Sequence, residues 1–503
     1  MIYLEKDNFF KNSFLLTVSN VTTGILGFIF NIYLSNLLGP EGMGLYNLVM
    51  PIYNLFICLM SAGIVASMSK IVAVYNQKGE QNNITKTIRV VTMFNIIWAL
   101  IIGIMVFFTA PLIGKYGVSD TRTISAIRVI CPAMVFIAIS NIFKGYFYGT
   151  SKIKIPALLD ILEKAIRIIT VSILILFFNA DSIEKMVTLA TIALCIGEFQ
   201  SLIGLYIYYK YCITKTPHSY EVTESRFQLL FDVIIITIPL CMNGFLTNIL
   251  GTMATLVVPR RLLIAGFNHT EALSLIGKFT GMAMTLLTIP LIVVSTINTL
   301  LIPDLSQTIS QGKRYEASCR IRKVIKLAFL LGLSTTIICN IIPDNLGLMF
   351  YGRDDLGSYI RFASFAAPIF FTSTTMFGIL NGLNRQGIIL RNSLIEAIIE
   401  LIGLYIFTAI PSINILGYSI TIIFATSISF LLNIHEVKKH IDIKINPYNI
   451  VIYLLLSILV FLVIKILASH VFINSLIINN FMVIGITFFI FAYLGGFGEM
   501  DAG

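Results

Sequence analysis

Long apolar runs separated by short polar segments dominate the chain. About fourteen runs hold roughly 20 or more largely apolar residues, the length that an α-helix needs to cross the hydrocarbon core of a bilayer. Their approximate limits are 12–38, 44–70, 88–111, 124–148, 155–179, 186–209, 229–257, 272–302, 323–343, 358–383, 388–410, 413–434, 449–468 and 472–494. Outer-membrane strands alternate polar and apolar residues over about 10 positions, which these runs do not. The pattern predicts an all-α integral membrane protein with about 14 transmembrane helices.

Composition excludes most soluble alternatives. Hydrophobic residues make up 57% of the 503 residues and charged residues 12%, about half of the charged fraction in ordinary soluble domains. So little charge cannot cover a soluble surface, which excludes a cytosolic enzyme and a disordered chain. The net charge of +10 does not indicate a nucleic-acid-binding protein, because the Lys and Arg residues are dispersed in short loops.

The basic residues of the loops predict the orientation. If both termini are cytoplasmic, the inner segments carry 23 Lys and Arg residues and the outer segments carry 8, as the positive-inside rule requires. We therefore expect a multi-pass protein of the cell membrane with both termini inside. Because no loop exceeds about 20 residues and no GxxxxGK[ST] motif occurs, we expect no ATP hydrolysis on this chain.

An internal repeat runs through the chain at an offset of 233 residues. Glycines and charged residues recur at this offset: Gly145 and Gly378, Gly149 and Gly382, Arg128 and Arg361, Glu163 and Glu396. The repeat predicts two six-helix bundles of the same orientation, at 1–215 and 227–435, with two extra helices at 446–494. Parallel repeats of this kind are typical of transporters that open a central cleft to either side of the membrane in turn.

Charged residues inside apolar helices need a partner, a wet cavity or a function. Glu163 and Arg167 stand four residues apart, so they share a helix face and can form an ion pair. In the second half Glu396 repeats Glu163, but Glu400 takes the position of Arg167. Two carboxylates on one apolar face cannot both be charged cheaply. They are candidates for a proton or cation site, unless a basic partner makes them structural.

Three sequence blocks resemble a known family. They read LLGPEGMGLYNLVMPIY at 37–53, NIFKGYFYGTSKIKIPALLDILEKAIRI at 141–168, and VVPRRLLIAG at 257–266. They are similar to the stage V sporulation protein B family, in the polysaccharide-transporter branch of the multidrug/oligosaccharidyl-lipid/polysaccharide exporter superfamily. The resemblance implies a fourteen-helix, two-bundle fold and a flippase for a lipid-linked glycan, here a precursor of spore cortex or cell-wall peptidoglycan.

The flippase interpretation assigns candidate roles to charged residues. A polyprenyl diphosphate is anionic, so Lys278, Arg260, Arg261 and Arg167 are candidates for substrate binding. The candidates for a coupling cation (proton or sodium) are Glu396, Glu400, Glu163 and Asp232. The expected partners are the lipid-linked glycan precursor and membrane lipids, without cofactor, metal, nucleic acid or ATP. The alternatives are a cation-coupled multidrug exporter of the same superfamily, a wall-synthesis scaffold that does not transport, and an intramembrane glycan transferase, which would need a large external loop.

Overall fold

A computed structural model of the chain describes residues 2–178, 182–214, 224–443, 447–470 and 476–497. Throughout these residues the chain is helical, with turns and short π and 3-10 segments and no strand, which confirms the all-α prediction. The helices are α1 (Ile2–Ser61), α2 (Ile64–Lys78), α3 (Gln81–Leu112), α4 (Thr123–Gly149), α5 (Lys154–Phe178), α6 (Ile183–Thr214), α7 (Arg226–Ile264), α8 (His269–Ile276), α9 (Met284–Leu286), α10 (Thr288–Ser310), α11 (Arg314–Ile341), α12 (Pro343–Tyr351), α13 (Gly357–Ser364), α14 (Ala367–Gly382), α15 (Gln386–Phe407), α16 (Gly417–Lys438), α17 (Pro447–His470) and α18 (Leu476–Phe497).

The long helices are suited to a membrane. Nine of the described helical stretches are long and apolar enough to span a bilayer, and the bent pair α13–α14 adds a tenth if it counts as one span. One of the nine is the 62-residue stretch Thr17–Lys78. At about 1.5 Å per residue it measures about 90 Å, three times the hydrocarbon thickness, so it holds more than one crossing. The count of fourteen helices stays a prediction.

A single glycine breaks α1 in its middle. Gly39 has φ 64° and ψ −178°, a conformation that only glycine adopts without strain. The helix therefore stops and restarts here, and the break separates two of the predicted apolar runs.

The chain divides into two compact units. The first comprises Met1–Leu34 and Glu41–Leu256, and the second comprises Ser35–Pro40 and Val257–Gly503. The first unit thus contains most of α7. In it the hydroxyls of Ser67 and Thr237 lie 2.7 Å apart, and the Cys241 thiol donates to the carbonyl of Cys58 at 3.4 Å.

The sequence predicts a first bundle that ends at 215 and a second that begins at 227, which places the start of α7 in the second bundle. In the structure this part of α7 packs in the first unit. The predicted boundaries at 215 and 446, and the predicted start of the last run at 472, lie outside the described residues. The bundles 1–215 and 227–435 and the appended segment 446–494 stay predictions.

The repeat is present in the packing of each unit. In the first unit α4 crosses α2 where a Cβ on Gly149 would lie 2.7 Å from the carbonyl oxygen of Ser69 and 2.8 Å from the Cβ of Val72. In the second unit α14 crosses α10 at Gly382, against Ile302 and Leu305, which are Ser69 and Val72 shifted by 233 residues. Glycines at such crossings let the backbones approach closely in a membrane protein.

We expect Gly149→Ala to lower thermal stability more than Gly382→Ala does. The new methyl group would meet backbone at 2.7 Å in the first unit, but its nearest contact in the second is the Leu305 side chain at 3.0 Å. Overpacking of this kind costs about 1–3 kcal/mol. Thermal unfolding of the purified variants measures the difference.

Gly27→Ala is the matched control, because a Cβ there would meet no atom within 4 Å. If all three variants unfold at the same temperature, the crossings are looser than the structure implies.

Candidate functional site

A buried cluster of charges lies between α5 and α6 in the first unit. Glu163 and Arg167, one turn apart on α5, form an ion pair, and an Arg167 Nη2 atom lies 3.3 Å from an Oε1 atom of Glu198 on α6. All three side chains are buried. Gly197 lets the helices approach here, because a Cβ on it would lie only 3.2 Å from the Glu163 carboxylate.

Two further groups complete the cluster. Lys164 places its Nζ atom 2.8 Å from Glu163 Oε2, and the Tyr53 hydroxyl donates to Glu198 Oε1 at 3.4 Å. Two carboxylates therefore face two cations, and the cluster is neutral when all four groups are ionised. Charges buried in this way persist only when they are paired and hydrogen-bonded.

One donor of the cluster has no partner. The Nε atom of Arg167 is buried and forms no hydrogen bond with any described residue, while the guanidinium stacks 5.7 Å from the ring centre of Phe30. A buried donor without a partner is costly. Arg167 therefore has capacity to bind one more acceptor.

A second ion pair lies nearer the start of α5. The Nζ atom of Lys144, on α4, is 2.7 Å from the Asp160 carboxylate. It ties α4 to α5 as the larger cluster ties α5 to α6. Three neighbouring helices of the first unit are thus joined by charges inside an apolar bundle.

The corresponding position of the second unit has a different electrostatic character. Glu396 and Glu400 lie one turn apart on α15, and the Ser429 hydroxyl of α16 is the hydrogen-bonding group beside Glu396. Neither carboxylate forms an ion pair with any residue that the structure describes. The basic residue nearest in sequence, Arg391, pairs instead with Glu436 at 2.9 Å.

The offset of 233 shows how the difference arose. Glu163 is repeated as Glu396, but Glu400 replaces Arg167 and Ala397 replaces Lys164. Both cations of the first cluster are therefore lost while one carboxylate is kept and another is added. Two adjacent carboxylates without a counter-charge are stable in an apolar layer only when they bind a proton or a cation.

Lys278 lies in the π-helical segment Gly277–Ala283. Its Nζ atom is 2.8 Å from an oxygen of Asp355, which Arg353 also holds at 2.7 Å and 2.8 Å. The hydrogen bonds from Arg353 and Lys278 hold the pKa of Asp355, in the loop before α13, well below its usual range. The ammonium of Lys278 is thus already neutralised locally.

The first unit has a similar three-charge arrangement in which two of the charges are exchanged. At offset 233, Asp120 corresponds to Arg353 and Arg122 corresponds to Asp355. Arg122 pairs with Asp120 and with Glu41, each at 2.8 Å. An acidic residue held by two basic ones in one unit is matched by a basic residue held by two acidic ones in the other. The ion pair of Lys278 with Asp355 favours a structural role for Lys278, and its predicted role in substrate binding stays a prediction.

The remaining predicted residues do not join these clusters. Arg261 donates from Nε to the carbonyl of Tyr405 at 2.7 Å and lies 3.9 Å from its ring centre. Arg260 is exposed near the same end of α7. Asp232 accepts a hydrogen bond of 2.8 Å from Gln228 on its own helix.

Comparison with known proteins places the chain in a family. A family model described as "Polysaccharide biosynthesis protein" matches residues 9–309. The chain belongs to the polysaccharide biosynthesis protein family. It is 28% identical over 450 residues to the stage V sporulation protein B of Bacillus subtilis (strain 168), covering 88% of this chain and 87% of the relative. The resemblance predicted from the sequence is confirmed.

Solved structures share the fold of this family member. Lipid II flippase MurJ in an inward closed conformation matches with a TM-score of 0.71 at 14% identity, covering 96% of this chain and 98% of that one. A multidrug resistance MATE family transporter of the MOP superfamily, in an inward-facing conformation, matches with a TM-score of 0.64 at 15% identity, covering 83% and 95%. The chain is a multi-pass membrane protein with the fold of these transporters.

The sequence identified most of the charged residues of these clusters but not the residues with which they interact. Glu198 falls outside the repeat pairs that carry charge, since Leu431 stands at its offset position, so only the packing of α5 on α6 joins it to Arg167. The charge-exchanged pairs Asp120/Arg122 and Arg353/Asp355 are visible at offset 233 once the loops are aligned. The repeat does not give the partner of Lys278, because Leu45 stands at its offset position.

Replacing Arg167 with Met should destabilise the protein by about 3–5 kcal/mol, because Glu163 and Glu198 would lose a shared buried cation. Thermal unfolding in detergent measures this. The double variant Arg167→Met/Glu198→Gln should recover part of the loss, since it removes one of the stranded carboxylates. A double variant that is no more stable than Arg167→Met would contradict the shared ion pair.

Proposed function

We propose that the protein is a flippase that moves a polyprenyl-diphosphate-linked glycan across the cell membrane, with a lipid II-like peptidoglycan precursor as substrate. The family is one of polysaccharide biosynthesis, and the names of the similar proteins point to sporulation and to lipid II. Spore cortex or cell-wall synthesis is the process that such a substrate serves.

One observation carries the transport mechanism. The same helix position holds a neutralised ionic cluster in the first unit and an acid pair without a basic partner, among the described residues, in the second. An inert scaffold has no use for two uncompensated carboxylates in an apolar helix, which cost free energy in every folded molecule. A carrier that takes up and releases a cation needs such carboxylates as its binding site.

The substrate side of the mechanism needs cations. Arg167 is the best-supported of the predicted substrate residues, because its buried Nε atom has no acceptor among the described residues and can donate to a diphosphate or glycan oxygen. The ion pairs of Arg167 with Glu163 and Glu198 hold its side chain in place before the substrate binds. Arg260 and Arg261 belong to the proposal as sites near the end of α7, where the diphosphate would enter or leave. Lys278 has less support, because it is paired with Asp355.

The coupling side rests on Glu396 and Glu400. A proton or sodium ion bound between them would remove their repulsion, and its release would restore it. The predicted coupling roles of Glu163 and Asp232 have less support, because Glu163 already faces two cations and Asp232 is hydrogen-bonded within its helix. Transport then proceeds by alternating access without ATP, with both termini in the cytoplasm.

A cation-coupled multidrug exporter is the second candidate, and the same acid pair favours it. Exporters of that class share the fold and would use a coupling carboxylate in the same way. The two functions differ in substrate. Vesicles that move a fluorescent cationic drug but not a lipid-linked precursor would decide for the exporter.

We expect the purified protein to move a labelled lipid II-like precursor across vesicles without ATP, and Glu396→Gln to slow this movement. The amide keeps the shape and can accept the hydrogen bond from Ser429, but it carries no negative charge and takes up no proton. The variant should therefore lose the dependence of transport on pH or sodium, and it should insert slightly better because a charge inside an apolar helix is gone. Accessibility of the label to an external quencher gives the rate.

Glu436→Gln is the matched control on the neighbouring helix. Its carboxylate is paired with Arg391 and Lys439 at 2.9 Å and 3.1 Å, so its loss should lower stability and leave the ion dependence unchanged. Full transport with unchanged ion dependence in Glu396→Gln would remove this residue from the mechanism.

A further inference from the structure

An apolar groove of about 230 Å³ lies between α3 and α4 in the first unit. Gly103, Ile104 and Phe107 line it from α3, and Cys131, Pro132 and Val135 line it from α4. On α4 the three residues lie on one side of the helix, since Val135 is three positions from Pro132 and four from Cys131. The groove faces outward, because Ile104 is 55% exposed.

At the corresponding place in the second unit, the helices meet through polar side chains. Thr336 replaces Gly103 and donates to the carbonyl of Ser364 at 2.8 Å. Asn340 replaces Phe107 and donates to the hydroxyl of Ser364 at 3.1 Å. These bonds join the two helices where the first unit has only apolar side chains and a glycine.

The surrounding face of α3 is also uncovered. In the second unit α17 and α18 lie on the equivalent face of α11 and α12, where Lys326 stacks over Tyr453 and Asn345 contacts Asn480. The counterparts of Lys326 and Asn345 in the first unit are Met93 and Leu112, which are 68% and 59% exposed.

A cation without an anionic partner marks one end of the groove. Arg128 precedes Cys131 by one turn on the same side of α4, is exposed, and lies 5.4 Å from the ring centre of Phe107. It forms no ion pair with any described residue. Its repeat counterpart Arg361 does, with Asp344 at 3.6 Å.

We propose that this groove is a binding site for an anionic phospholipid, with an acyl chain in the groove and the phosphate on Arg128. The groove supplies apolar surface, and the guanidinium supplies charge-assisted hydrogen bonds at the helix end, where lipid head groups lie. A transmembrane helix of a partner protein fits less well, because it would bury the guanidinium without a counter-charge. The site does not depend on the transported substrate.

Photocrosslinking of the full-length protein in nanodiscs tests the site. The probes are a phosphatidylglycerol and a phosphatidylcholine that carry the same diazirine acyl chain, and mass spectrometry maps the labelled peptides. We expect phosphatidylglycerol to label the α3 and α4 peptides preferentially. Arg128→Gln, at an exposed position, should lower this labelling about tenfold, the effect of losing one charged hydrogen bond.

Two variants make the result specific. Arg361→Gln changes the paired repeat counterpart and should leave labelling unchanged, whereas Gly103→Leu should fill the groove and reduce labelling by both lipids. Equal labelling by the two lipids that Arg128→Gln leaves unaltered would overturn the proposal. Crosslinks that join two protein chains through this face, in place of lipid labelling, would also overturn it.

Discussion

The structure depends on how ionised side chains are neutralised within an apolar layer. Water cannot solvate a charge there, so each charge needs a nearby counter-charge, a hydrogen bond or a bound ion. In the first unit Arg167 meets this requirement by sharing two carboxylates from two helices. The requirement fixes the pairing of α5 with α6 at that level and explains why a glycine, Gly197, occupies the closest approach.

The internal repeat gives the two units equivalent helix positions, some of which hold the same residue and some a different one. The glycine crossings at Gly149 and Gly382 are kept, and the loop clusters around Arg122 and Asp355 each hold three charges, of which the pairs Asp120/Arg353 and Arg122/Asp355 are exchanged in sign. At the level of α5 and α15, by contrast, the charge balance itself has changed. The glycine crossings therefore repeat, whereas the charge balance for which we propose a coupling function does not.

Much of the fold could be predicted from the sequence. Run length and charge fraction suffice for an all-α membrane protein, and the offset of 233 locates Glu163, Arg167, Glu396 and Glu400 on equivalent faces. The sequence could not give the partners. Glu198 reaches Arg167 only through packing, and Arg391 turns to Glu436 because that carboxylate lies across on α16. Run length could not show either that α7 packs in the first unit, since its contacts through Thr237 and Cys241 come from side-chain fit.

The central claim is that the second unit has exchanged a neutral cluster for a cation site. Glu400→Arg tests it most directly, because it restores at Glu396 and Glu400 the acid–base pattern of Glu163 and Arg167. The measurement is the midpoint of thermal unfolding as sodium replaces choline at constant ionic strength, at two pH values. A bound cation stabilises the folded state, so the account predicts a cation-dependent midpoint in the unaltered protein and none in the variant. An equal dependence in both proteins would contradict it.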